Sequence, residues 1–249
     1  MNILFCAYGD AGDIILNKMI NNEKIKNIFC LTYNDLYNKK LIASLENNCI
    51  NYSFSNIKDS KLFEKINNFE LDIIISIYYR HLIPEKILNI SKLGGVNLHP
   101  SLLPKYRGAF SCPWAIINGE NTTGITYHYM NKKFDDGNII LQKSVKITKK
   151  ETAFSLYNKL VKIGANNFNR MFNLVTEKKY KGISQVGKPS YYPRKVPYDG
   201  YIDRSWSNTK IERYIRAMIF PPKPFAKLKL NDQDYNINSI SQYISLISE

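Results

Sequence analysis

The chain has 249 residues, 44% of them hydrophobic and 13% aromatic, enough for one large domain or one domain with a small appendage. No run of about 18 apolar residues occurs, which argues against a membrane-spanning helix. The net charge of +14 favours polyanionic or phosphate-bearing partners, yet the lysines are spread over every predicted helix and form no single tract, so solvated surface explains them as well.

The amino terminus, Met1-Asn2-Ile3-Leu4-Phe5-Cys6-Ala7, lacks the basic start of a signal peptide and meets a Gly-Asp turn at once; the expected location is cytoplasmic. Cys6, Cys30, Cys49 and Cys112 form no Cys-x-x-Cys pair, and the histidines are His81, His99 and His128. That leaves little material for a zinc centre, and no metal is expected.

In chain order, residues 2–7 read as an apolar strand, 8–12 as a turn and 13–21 as a helix. The turn is neither Gly-x-Gly-x-x-Gly nor a Gly-Lys-Ser/Thr phosphate loop. Residues 27–32 and 52–54 read as strands around a helix at 36–47, and Asp59 caps a helix to residue 67. The nearly unbroken apolar run 71–77 marks a central parallel strand covered on both faces. Pro84 suits a helix start, and 96–98 is the next strand. Alternating strands and helices predict an α/β fold, a Rossmann-like open twisted, mostly parallel sheet.

Further on, 109–118 reads as a helix with Trp114 and Ile117 buried, and 125–130 and 139–147 read as strands. Thr152 caps a long helix to about residue 175, whose Phe154, Tyr157, Leu160, Val161, Phe168, Met171 and Phe172 recur at helical spacing. A helix at 209–218 and strands at 225–230 and 235–240, joined by Asn231-Asp232-Gln233-Asp234, predict a small C-terminal helix-plus-β-hairpin appendage. The expected division is 1–184 and 185–249.

One stretch, 94–140, concentrates chemistry. Asn97 and His99 stand two apart on an extended strand and share a face. A loop with two prolines, Arg107 and Gly108 follows, where open α/β sheets carry ligands beyond their strand ends. Asp135 lies in an Asp-Asp-Gly turn after another strand. Taken singly, Asn97 could be a turn residue, His99 a structural histidine and Asp135 an ordinary turn residue.

The ordered motifs Asn97-Leu98-His99-Pro100-Ser101-Leu102-Leu103-Pro104-Lys105-Tyr106-Arg107-Gly108, then Gly124-Ile125-Thr126-Tyr127-His128, then Asp135-Asp136-Gly137-Asn138-Ile139-Ile140, resemble the formyltransferases that use 10-formyltetrahydrofolate. The resemblance is close over roughly the first 180 residues. Formyl transfer to an amine develops an oxyanion and releases a proton from the attacking nitrogen. Asn97 can donate to the oxyanion. Protonated His99 can donate a second hydrogen bond. Asp135 can pair with His99, raise its pKa and relay the amine proton through water. The resemblance assigns the same three as catalytic. His128 is read as structural or supporting.

The resemblance further implies a folate pocket formed by Tyr78, Tyr79, Arg80, Leu82 and Ile83 on one loop and Asn131, Lys132 and Phe134 on another. Tyr106-Arg107-Gly108 and the C-terminal Pro197-Tyr198-Asp199-Gly200-Tyr201-Ile202-Asp203 are similar to the branch containing methionyl-tRNA formyltransferases and sugar-nucleotide N-formyltransferases. The tRNA enzymes carry a further barrel of about a hundred residues. Here about 24 residues follow Phe225, which suits a hairpin. The implied acceptor is therefore a nucleotide-linked amino sugar, of the dTDP-4-amino-4,6-dideoxyhexose type used in O-antigen and other lipopolysaccharide biosynthesis, with UDP left open as carrier. Arg107, Arg194 and Arg216 are the expected pyrophosphate contacts. No nucleic-acid partner is expected, and the hairpin suggests a homodimer. The alternatives are a methionyl-tRNA formyltransferase-like enzyme and a non-catalytic basic RNA-binding module.

Overall fold

The computed structural model describes residues 1–248. Strand β1 (Asn2–Ala7) is followed by helix α1 (Gly9–Ile20), β2 (Asn27–Leu31), α2 (Lys39–Asn47), β3 (Asn51–Ser53), α3 (Ser60–Asn67), β4 (Ile73–Ile77), α4 (Glu85–Ile90) and β5 (Gly95–His99). Then come β6 (Arg107–Gly108), α5 (Ser111–Ile117), β7 (Thr122–Tyr129), β8 (Ile139–Lys146) and α6 (Ala153–Thr176). The chain ends with β9 (Tyr191–Tyr192), α7 (Asn208–Met218), β10 (Ala226–Leu230), β11 (Gln233–Ile237) and α8 (Ile240–Ser248).

A seven-stranded sheet runs β3-β2-β1-β4-β5-β7-β8. Its first five strands pair in parallel, and β7 pairs antiparallel with β5. The sheet is therefore mostly parallel, as the alternation of elements predicts. β1 and β4 are apolar along most of their length because both faces are covered, and Leu4, Cys6, Phe29, Leu31, Ile74, Ile83 and Ile87 form one buried cluster. Asp59 caps α3 through a bond from Leu62 N–H at 2.9 Å.

The chain divides into two compact units. The first comprises residues 1–99, 125–142 and 163–187 and contains the parallel strands. Within it α6 passes close to β5 at a glycine: a Cβ on Gly164 would stand 2.7 Å from Leu98 Cδ2. The fully buried Tyr127 donates its hydroxyl to the Gly164 carbonyl at 3.0 Å.

The second unit comprises 100–124, 143–162 and 188–249. Its centre is an aromatic chain: Tyr106 stacks on Tyr192 at 5.6 Å, and Tyr192 on Trp114 at 4.5 Å. Tyr198 meets Trp114 and Trp206 edge-on. The β10–β11 hairpin closes on Asn231 and Asp232, both at positive φ (45° and 62°). This two-residue turn replaces the expected four-residue loop because Asn and Asp tolerate the left-handed conformation that such a turn requires.

Other departures are local. Helix α1 begins at Gly9, inside the expected turn, because Gly9 adopts φ +65° and its N–H is taken by the buried Asn38 Oδ1 at 2.7 Å. The expected last strand stops at Ile237, and α8 follows instead, burying Tyr243. Phe154, expected in the core stripe of α6, is 39% exposed. Among the described residues no helix is long and apolar enough to cross a membrane, and no cluster of His, Cys, Asp or Glu could hold a metal ion.

Candidate active site

Asn97 and His99 sit on β5 at its carboxyl end, where the antiparallel partner β7 places His128 directly opposite Asn97 and Thr126 opposite His99. Asp135 is delivered by the loop between β7 and β8. It holds φ +51°, a left-handed conformation that a short polar residue accepts at a tight turn. The loop is tight because Gly137 packs on β7: a Cβ there would lie 1.9 Å from the Tyr129 carbonyl oxygen.

The three expected catalytic residues converge. Asp135 Oδ2 is 3.4 Å from His99 Nδ1, and its Oδ1 is 3.4 Å from both Asn97 Nδ2 and His128 Nε2. The side chains of His99, His128 and Asp135 are only 5%, 2% and 10% exposed, so their interactions are weakly screened.

His128 belongs to this constellation, in a supporting position beside Asn97. Its Nδ1 is 2.7 Å from the Tyr129 carbonyl, which can only accept, so the ring carries its proton on Nδ1. Its Nε2 then accepts from Asn97 Nδ2 at 3.1 Å. One Asn97 amide proton is thereby fixed on His128. The other points along the long 3.4 Å contact to Asp135, a bond weak enough to be exchanged for a better acceptor.

The remaining expected contacts are distributed. Asn131 and Lys132 line a cleft of about 460 Å³ together with Leu88, Gly95, Met130 and Asp136. Phe134 is 47% exposed and Ile83 is buried in the core. Leu82 is half-buried. Tyr78 forms an isolated bridge with Ala7. Tyr79 stacks on Tyr33 at 5.2 Å, while the Arg80 guanidinium lies 3.6 Å over the Tyr8 ring and 3.4 Å from Asp35. Burial pushes the Tyr8 and Tyr33 hydroxyls up to about 12, so both remain neutral phenols. In the second unit, Arg107 pairs in β6 with Tyr191, and Arg194 is exposed. Arg216 is engaged by Glu212 and by the Glu151 carbonyl at 2.6 Å.

The sheet, the convergent Asn, His and Asp and the order of the motifs define a group-transfer enzyme of the formyltransferase kind. Residues 22–171 match the family described as formyl transferase, and the chain belongs to that family. Over 247 residues it is 38% identical to the GDP-perosamine N-formyltransferase of Brucella melitensis, spanning 98% of this chain and 95% of that one. The fold is similar to that of a 4-N formyltransferase from Francisella tularensis (TM-score 0.79, 20% identity, 95% and 96% of the two chains). It is also similar to an N-formyltransferase from Helicobacter canadensis solved with folinic acid and dTDP-3-aminofucose (TM-score 0.75, 21% identity, 93% and 85% of the two chains).

Proposed function

We propose that this formyltransferase moves the formyl group of 10-formyltetrahydrofolate onto the amino group of a nucleotide-linked amino sugar. The observation that carries the chemistry is the buried meeting of Asn97, His99 and Asp135 around one point. When bound, the folate supplies an activated formyl carbon. Asn97 donates its second amide proton to the formyl oxygen as charge builds there, and His99 donates from the imidazole side. Asp135 holds His99 charged, accepts, through water, the proton shed by the attacking amine, and returns it to the folate nitrogen whose bond to the formyl carbon breaks. Our reading seats the donor in the cleft beside Asn131 and Lys132, where Leu88 and Met130 offer apolar surface to a flat ring and Lys132 and Lys133 stand beside Glu85 and Asp136.

The acceptor reading is supported by the Brucella relative, which aligns through the C-terminal region as well as the catalytic strands. That relative is named for a GDP-sugar, so GDP joins dTDP and UDP as a possible carrier. Our reading places a 4-amino-4,6-dideoxyhexose on the nucleotide and assigns Arg107 and Arg194 to its phosphates, because guanidinium binds phosphate oxygens bidentately. The test is tetrahydrofolate release from 10-formyltetrahydrofolate with GDP-, dTDP- and UDP-linked amino sugars and methionyl-tRNA in parallel. Turnover with one amino sugar is expected. Turnover with the tRNA alone would overturn the acceptor.

A further inference from the structure

The loop that carries Asp135 is gripped from outside by a segment far along the chain. After α6 the chain runs back as an exposed strap, residues 180–185. The Tyr180 carbonyl accepts from the Tyr129 hydroxyl, and the Lys181 carbonyl accepts from Asn138 Nδ2 at 3.2 Å. Ile183 and Ile139 exchange both backbone bonds, at 2.8 and 2.9 Å. Gly182, at φ +73°, lets the strap approach this closely: a Cβ there would stand 2.8 Å from the Ile139 carbonyl oxygen.

The strap ends on Gln185. Its Nε2 donates to the Asp135 carbonyl at 2.8 Å and to the Gly137 carbonyl at 2.9 Å. Both partners can only accept, so the side-chain amide must present its two protons here. Each proton holds one side of Asp136, which pins the turn between two fixed points. Ile183 is 59% exposed, and Val186 beyond Gln185 is 86% exposed, so apolar burial contributes little to holding this segment. Polar bonds hold it, and one of the two from Gln185 reaches the backbone of Asp135 itself.

We propose that Gln185 is a positioning residue for Asp135. It fixes the left-handed turn from which the carboxylate reaches Asn97 and His99 together. Asp135 stands 3.4 Å from each of these two groups, so a small drift of the turn loses both at once. The inference rests on the formyl-transfer reading of the site.

The test compares Gln185→Ala and Gln185→Glu with the wild type, alone and combined with Asp135→Asn, using 10-formyltetrahydrofolate and the accepted amino sugar. Both single variants are expected to lower kcat by about ten- to a hundredfold, with KM for the amino sugar within about threefold and the thermal midpoint little changed. In the Asp135→Asn background the Gln185→Ala change is expected to cost less than twofold, because its effect passes through the carboxylate. Full additivity of the two changes would overturn the proposal, as would a loss confined to KM or one explained by a collapsed thermal midpoint. Histidine-selective NMR of the folded protein supplies a readout independent of turnover. The His99 titration in Gln185→Ala should move toward that of Asp135→Asn, and an unmoved titration would also overturn the proposal. If the wild type turns over no acceptor, the formyl-transfer reading fails while the NMR comparison still decides the role of Gln185.

Discussion

Asn97 and His128 face each other across the antiparallel β5–β7 pairing, with the asparagine amide nitrogen 3.1 Å from His128 Nε2. The proton on His128 Nδ1 is committed to the Tyr129 carbonyl, so this histidine acts as an acceptor that orients the asparagine. His128→Phe should leave the fold intact and reduce kcat by about ten- to a hundredfold, since the Asn97 amide loses the partner that aims it. Steady-state kinetics and circular dichroism check this. Unchanged kcat in a folded variant would show that Asn97 needs no such guide.

Removing His99 or the Asp135 carboxylate should cost more. His99→Ala or Asp135→Asn is expected to lower kcat by about 10²–10⁴-fold while the protein stays folded. Single-turnover formyl transfer with the folded variants is the measurement. Near-wild-type rates in either one would take that residue out of the mechanism.

Gly137→Ala reaches the same turn by steric means. The new methyl group would collide with the Tyr129 backbone oxygen, 1.9 Å away, and backbone yields poorly. The expected cost is about 1–3 kcal/mol of stability together with a fall in kcat, read by urea denaturation and kinetics on the same preparation. By contrast, Gly164→Ala meets the end of the Leu98 side chain, which can rotate, and should be milder.

The acid limb of stability has an identifiable contributor in Asp72. Burial raises the pKa of Asp72, but bonds from Lys92 Nζ and the Asn2 N–H, both at 2.8 Å, outweigh it and leave the carboxyl below its ordinary value. A carboxylate lowered in the folded state adds stability above its unfolded pKa of about 4, and that stability is lost as pH falls through the folded value. Asp72→Asn should therefore flatten the fall in urea midpoint below about pH 4 and change little of its slope above pH 6. An identical acid limb in wild type and variant would count against this assignment.

The sheet and the three converging residues were legible in the sequence for a local reason. Asn97 and His99 share a strand face by spacing alone, and Asp135 sits in a turn whose chemistry is written in Asp-Asp-Gly. The residue that His128 supports was not legible, because it depends on the register that sets residue 128 against residue 97, a pairing that no periodicity within either strand discloses. Gln185 lies in a segment with neither strand nor helix pattern, so nothing local marks it. Helix α8 was missed although Ile240, Tyr243, Ile244 and Ile247 recur at helical spacing, because the strand expected at 235–240 ended where the helix begins.

The strap also sets a timetable. The candidate catalytic side chains are complete once residue 135 has been made, and the family match itself ends at residue 171. The bonds that steady Asp135 come from 180 to 185. A growing chain on the ribosome would thus carry Asn97, His99 and Asp135 some fifty residues of synthesis before the segment proposed to steady them, and a shortened version ending with α6 would keep these motifs while lacking Gln185.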